Sequence, residues 1–215
     1  MQNIGAYGTE IKDVFISLTA YHIETGEIQS FNKEQCEFGY RESVFKRKLK
    51  NQYIIIDVIF CLTKKHIINT KYGVIENELQ EMDITAPTIR DISNAIIAIR
   101  SSKLPDPKLI GNAGSFFKNP VIEVKAAEEL KGKHPNIPSY PAPNGKVKLA
   151  AGWLIEQAGW KGKTFNNYGV HKNQALVLVN YSGCTGNDIL DLSTKIIEDV
   201  NFKFGVKLER EVNIL

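Results

Sequence analysis

The chain is poor in cysteine: three in 215 residues, Cys36, Cys61 and Cys184, set far apart. An odd, scattered set gives no disulfide framework and no metal-ligand spacing. It suits a reducing compartment. Long apolar runs are also missing. The longest, 53–62, is broken by Asp57 and falls short of the roughly 20 residues that cross a bilayer. No secretory leader pattern opens the chain, so a cytoplasmic location without membrane contact is expected. Charge is nearly balanced, with 27 Lys and Arg against 24 Asp and Glu, a net +3. Nucleic-acid binders gather positive charge on one face. The single basic run here, Lys46-Arg47-Lys48-Leu49-Lys50, reads as a solvated loop, so no nucleic-acid partner is expected. Internal repeats and low-complexity tracts are absent, which excludes solenoids.

What is present is an ordinary globular composition, 43% hydrophobic and 24% charged, long enough for one or two cores. Val14, Ile16 and Leu18 alternate with Phe15, Ser17 and Thr19, which predicts a strand buried mainly on one face. Glu24–Glu27 reads as a turn, with Ile28–Phe31 as the returning strand. Asn32 is placed to cap a helical turn over Lys33–Cys36. The Ile- and Val-rich stretch Tyr53–Leu62 predicts a central strand. Thr88 with Asp91 resembles a capping box and opens a helix to Arg100, with Ile89, Ile92, Ile96 and Ile99 on its core face.

The later half reads as a second unit. Helices are expected over Glu123–Lys131 and Val147–Ala158, around a loop, His134–Asn144, that holds four prolines. A buried strand is expected over Ala175–Val179. A long amphipathic helix follows over Thr185–Phe204, with Ile189, Leu192, Ile196 and Val200 inward. A last strand is expected over Val206–Leu215.

The segment that stands out is Gly111-Asn112-Ala113-Gly114-Ser115-Phe116-Phe117-Lys118-Asn119-Pro120. Glycine reaches backbone angles that other residues resist and lets a backbone approach a ligand closely. Ser115 is presented at the end of that approach. Taken alone, a Gly-x-x-Gly-Ser string is more often a turn into a strand. Its lead-in, Arg100-Ser101-Ser102-Lys103-Leu104-Pro105-Asp106-Pro107-Lys108, adds three cations and a Pro-x-Pro spacer. That suits an anionic ligand.

The run from Arg100 to Pro120 resembles the signature of the UDP-N-acetylenolpyruvoylglucosamine reductases, the MurB family of peptidoglycan-building flavoenzymes. The resemblance recurs in order at Gln2–Gly8, Phe38–Ser43, Lys71-Tyr72-Gly73, Lys148–Ile155, His171–Asn180 and Leu208–Val212. It implies an α+β protein. Residues 1–104 would be the later portion of a vanillyl-alcohol-oxidase-type FAD-binding domain. Residues 105–207 would be a substrate-binding domain, and 208–215 a terminal strand returning to the FAD-domain side. Family members carry a further part before the Gln-Asn-Ile-Gly motif, so the resemblance covers only a member's later portion.

The implied activity is NADPH-dependent, FAD-mediated reduction of UDP-N-acetylglucosamine enolpyruvate to UDP-N-acetylmuramate. No metal and no obligate protein partner are implied. Residue by residue, Gln2, Asn3, Ile4, Gly5, Ala6 and Gly8 would line the flavin, with Arg100 beside it. Arg41 and Glu211 would flank the enolpyruvyl group, and Ser115 would give the second proton. Tyr72, Lys103, Asn119 and Tyr140 would lie near the diphosphate, and Gln174 near the uracil. Taken one at a time, Arg41 and Glu211 read as surface ion pairs, His171 as structural, and Trp153 and Trp160 as packing. Two other readings remain open: a non-catalytic fragment that binds a UDP-sugar without flavin turnover, and another flavin enzyme on the same scaffold.

Overall fold

A hairpin opens the chain. Gly5–Ala6 (β1) pairs antiparallel with Thr9–Glu10 (β2). Between them Tyr7 and Gly8 both take positive φ, 53° and 82°, the twist that two-residue hairpins require. The computed structural model describes residues 1–65, 67–70 and 73–214, and they fall into two compact units, 1–96 and 97–215. Tyr72, expected near the diphosphate, lies outside the described residues.

In the first unit a single helical turn, Ile11–Val14 (α1), leads into Phe15–His22 (β3). Ile28–Asn32 (β4) returns beside it, as the turn at Glu24–Glu27 predicts, and Tyr53–Phe60 (β5) takes the other side. The order is β4-β3-β5, all antiparallel. Asn32 does cap the turn after β4: its Oδ1 accepts from Gln35 N–H at 2.9 Å, while Gln35 Oε1 accepts from Asn32 N–H at 2.8 Å.

Two expectations fail here. The β3–β5 pairing slips between Phe15 and Ser17 and again between Thr19 and Ala20. A slip of one residue exchanges the faces, so Phe15, Leu18 and Ala20 are buried and Ile16 is 51% exposed. And β5 is an edge strand, paired with β3 alone among the described residues. Its Ile54, Ile56 and Ile59 are more than half exposed, so its run of isoleucines does not mark a central position. Two helices follow, Gly73–Glu81 (α2) and Ile89–Lys103 (α3). The expected Thr88–Asp91 box is formed, with Thr88 N–H on Asp91 Oδ2 at 2.8 Å and Asp91 N–H on Thr88 Oγ1 at 3.3 Å. Of the four isoleucines placed on the core face, Ile99 is buried and Ile89 is 51% exposed.

The second unit holds more strand than its sequence predicts. Gly111–Ser115 (β6) is an edge of a four-stranded antiparallel sheet. Thr164–Phe165 (β10), Tyr168–Val170 (β11) and Val177–Asn180 (β12) complete it in the order β10-β11-β12-β6. A second sheet, β7-β9-β8, is built from Val121–Ile122 (β7), Ser139–Pro141 (β8) and Val147–Leu149 (β9). The helices are Val124–Lys133 (α4), Ala151–Gln157 (α5) and Gly186–Phe204 (α6). The stretch expected as one helix from Val147 is thus a strand followed by a helix. The proline-rich loop supplies β8.

α6 starts where its sequence says. Thr185 Oγ1 accepts from Asp188 N–H, and Asp188 reaches back to Thr185 N–H at 2.7 Å, a capping box with Asp in place of Glu. Gly205 closes the helix at φ 66°. Leu192, Ile196 and Val200 enter a core shared with Phe116, Phe117, Leu149, Leu154, Ile155 and Val170. The expected terminal strand is reduced to one antiparallel bridge, Phe117 with Arg210. Burial still alternates at Phe204, Val206 and Leu208, but the pairing is too short to count as a strand.

Candidate functional site

In the first unit the chemistry-bearing residues converge on the hairpin. The Arg41 guanidinium donates through Nη2 to the Gly5 carbonyl at 2.6 Å and lies over the Tyr40 ring, 5.5 Å from its centroid. Arg41 has φ 55°, a left-handed backbone inside the tight Gly39–Glu42 turn. Gln2 Oε1 accepts from Lys46 Nζ at 2.7 Å. Asn3 is fully buried. Its Nδ2 donates to Glu10 Oε2 at 3.0 Å and to the Gly39 carbonyl at 3.1 Å, and its Oδ1 accepts from Lys12 N–H at 3.0 Å.

Asn3 therefore ties the hairpin to the Arg41 turn from inside the fold. The faces the hairpin shows to solvent are those of Ile4, Ala6 and Gly8. Burial pushes the Glu10 carboxyl up. Hydrogen bonds from Lys12 and Asn3, with the charges of Lys12 and Arg41, outweigh that and hold it below the usual carboxylate range.

In the second unit Ser115 ends β6 opposite Val177, after Gly114 at φ 71°. The next residue, Phe116, donates its N–H to the Leu176 carbonyl at 2.7 Å and accepts from Glu211 N–H at 2.8 Å. Residues from the middle and the end of the sequence are thereby brought side by side, Glu211 next to the backbone that carries Ser115. Lys118 N–H donates to the Glu209 carbonyl at 2.9 Å, and its buried ammonium meets the Glu209 carboxylate at 2.5 Å.

Three of the residues expected to hold a sugar nucleotide gather where β9 passes into α5. Asn119 Oδ1 accepts from Ala151 N–H at 2.9 Å, in the first turn of α5. A Cβ on Gly152 would stand 3.5 Å from Gln174 Oε1, so Gln174 packs over the same turn. Tyr140, half exposed, pairs across β8–β9 with Lys148, and Lys148 pairs in turn with Val121. Lys148, which sequence reasoning did not single out as a site residue, is the cross-strand partner of Tyr140 and shares its face of the sheet. Arg100 and Lys103 are exposed in the last turn of α3.

Two buried groups, Cys36 and His171, drop out of the chemistry. Burial pushes the Cys36 thiol up to about 11, so it behaves as a small hydrophobe of the first core. Among the described residues no group of three or more His, Cys, Asp or Glu could hold a metal ion, and no helix is long and apolar enough to cross a membrane. His171 is 7% exposed, and its Nδ1 accepts from Asn173 N–H, a neutral structural imidazole. Burial, with the Lys172 charge, lowers its pKa. A depressed histidine stabilises the fold fully above the unfolded value near 6.5, and the contribution is lost as pH falls through the folded value. Urea midpoints are expected to fall between pH 7.5 and 5.5, and His171→Gln to flatten that fall. An equal fall in both chains would contradict it.

The two units and their mixed sheets and helices define an α+β protein whose fold has a solved counterpart. A crystal structure titled UDP-N-acetylenolpyruvylglucosamine reductase (MurB) from Thermus caldophilus overlays 99% of this chain and 57% of that chain. The TM-score is 0.59 at 20% identity. The family is settled by sequence. The sequence model of the UDP-N-acetylenolpyruvoylglucosamine reductase C-terminal domain matches residues 106–215, just over half of the chain. The chain belongs to that reductase family. Two proteins named UDP-N-acetylenolpyruvoylglucosamine reductase illustrate the relation. The one from Flavobacterium johnsoniae is 55% identical over all of this chain and 64% of its own length. The one from Pseudomonas aeruginosa is 49% identical over all of this chain and 63% of its own. The chain thus spans less than two thirds of the length of these relatives.

Proposed function

We propose that this chain is the later part of an NADPH-dependent flavoenzyme that reduces UDP-N-acetylglucosamine enolpyruvate to UDP-N-acetylmuramate, for peptidoglycan precursors. The observation that carries the reading is the Glu211 N–H bond to the Phe116 carbonyl. It joins Ser115 and Glu211 in the same unit that gathers Asn119, Tyr140, Lys148 and Gln174. The first unit offers a fit for a flavin ring. Ile4 and Ala6 are exposed on the hairpin, and nothing lies within 4 Å of where a Cβ on Gly8 would stand.

Bound FAD, replenished from NADPH, supplies the hydride. The protein's part is binding, charge and one proton. Asn119, Tyr140, Lys148, Lys103 and Tyr72 hold the diphosphate, and Gln174 the uracil. Arg41 offsets negative charge that develops on the enolpyruvyl group, a task suited to a fixed guanidinium. Glu211 flanks the same group. Ser115 Oγ gives its proton to the substrate carbon. By the family resemblance, Gln2, Ile4, Gly5, Ala6 and Gly8 would line a bound flavin, with Asn3 behind them, and Arg100 is assigned to the same cofactor.

A second reading follows from where the expected nucleotide residues lie. With the nucleotide residues concentrated in the second unit, this chain by itself binds a UDP-sugar without flavin turnover. The test is a nuclear magnetic resonance titration with UDP. Signals of Asn119, Tyr140, Lys148 and Gln174 are expected to shift together, and a titration that leaves all four in place contradicts both readings. Equilibrium dialysis against FAD separates them: one flavin retained per chain supports the enzyme, none retained the binding module.

A further inference from the structure

We infer that Arg210 is the positioning residue that sets Glu211 in place, through a fork onto two hydroxyls of α6. The inference rests on the role proposed for Glu211. The Arg210 Nε donates to Ser193 Oγ at 2.7 Å, and Nη2 donates to Thr194 Oγ1 at 2.6 Å. Both hydroxyls donate in turn to one acceptor, the Leu190 carbonyl, at 2.6 and 3.0 Å. Ser193 is three residues beyond Leu190 and Thr194 four, the two spacings at which a helical hydroxyl reaches back to a carbonyl.

The direction of every bond is forced. A guanidinium has donors only, and a hydroxyl has one proton. With both protons fixed on Leu190, the oxygens present lone pairs to the guanidinium. Ser193 has no exposed surface, so this half of the fork is screened from water.

The backbone explains why such a fork is needed. Residues 209–211 are held to β6's continuation by one bridge, made of just two hydrogen bonds. So short a ladder is marginal by itself. Two side-chain ties brace it. Lys118 takes Glu209, and the Arg210 fork takes the residue between Glu209 and Glu211. Glu209 is mostly exposed, which leaves the half-buried Arg210 as the firmer tie. Lysine cannot serve, because a single ammonium does not span two hydroxyls in a fixed plane.

The test uses the chain as it stands, with Arg210→Met, Arg210→Lys, Thr194→Val and Thr194→Ser. Amide hydrogen exchange reads the Glu211 and Lys118 N–H groups, with Val179 as an internal reference. Isothermal calorimetry reads the affinity for UDP-N-acetylglucosamine enolpyruvate against UDP-N-acetylglucosamine. In Arg210→Met, exchange at Glu211 is expected to speed up about 10- to 100-fold, as loss of hydrogen bonds to a charged group implies, with Val179 unchanged. The preference for the enolpyruvyl ligand is expected to fall about tenfold at unchanged affinity for the other. Thr194→Val and Arg210→Lys follow the same pattern in weaker form, and Thr194→Ser restores the wild-type values.

Unchanged exchange at Glu211 overturns the inference. So does faster exchange that includes Val179, which would make Arg210 a general stabiliser. Local exchange with an undisturbed ligand preference also overturns it, because Glu211 would then not depend on the fork. A wild-type chain that shows no preference between the two ligands overturns the reading of Glu211 itself, before any variant is made.

Discussion

Replacement of Ser115 by alanine, in a full-length family member carrying this sequence, is expected to leave flavin reduction by NADPH near its normal rate. Reoxidation by the enolpyruvyl substrate should slow about 10²–10⁴-fold, the usual contribution of a positioned general acid. The geometry makes the substitution a clean one. Ser115 is an exposed residue at the end of β6, and its backbone is paired with Val177. Alanine keeps that pairing and removes only Oγ. Because the proton is delivered in the transition state, the loss should appear in kcat. Ser115→Cys restores part of the rate, since a thiol is the stronger acid. Stopped-flow absorbance separates the half-reactions. If both slow together, Ser115 places the flavin; if neither slows, the proton has another source.

The second large effect is on stability. Phe117→Ala is expected to cost the second unit about 3–5 kcal/mol, the range for emptying a buried aromatic site. Phe117 is 1% exposed. It packs edge-on against Phe116, with ring centroids 5.4 Å apart, and its backbone bridges Arg210. One deletion thus opens a cavity in the core and loosens the segment that carries Glu211. Phe117→Leu leaves less empty volume and should lose much less. Urea unfolding of the chain, with an unchanged slope, measures the difference. A loss near 1 kcal/mol for Phe117→Ala would show that the neighbours close over the gap.

Helices were legible wherever a local signal marked them. Thr88 with Asp91 located the start of α3, and the helical spacing of Ile189, Leu192, Ile196 and Val200 located α6. Several strands were legible as strands, β3, β4, β5 and β12 among them, but not their faces or places in a sheet, which depend on partners. Nothing near Ile16 reveals that the β3–β5 register slips beside it. Nothing in Tyr53–Leu62 says which of its sides will find a neighbour. Val147–Leu149 carries apolar residues that suit a helix until β7 and β8 bracket it.

The site divides along the same line. Ser115, Glu211 and the hairpin stand in motifs readable as strings. Lys148 stands in one too, but only the β8–β9 pairing shows that it is Tyr140's cross-strand partner. The Arg210 fork left no signal at all. Serine and threonine on a helix face look like ordinary hydroxyls until an arginine from the chain's end arrives beside them.

The glycines of these motifs are held for two different reasons, and chirality tells them apart. At Gly5 a Cβ would meet the Thr9 carbonyl oxygen and Glu10 Cγ, each at 2.7 Å, so volume forbids a side chain there. At Gly8 and Gly114 that space is open, but φ is 82° and 71°, so torsion strains an l-residue. A d-amino acid prefers the mirror-image torsions. In a semisynthetic chain, d-alanine at 8 or 114 would therefore meet the backbone on its own terms. The two kinds of constraint look identical in a sequence, and only the mirror-image residue separates a position that lacks room from one that lacks the right hand.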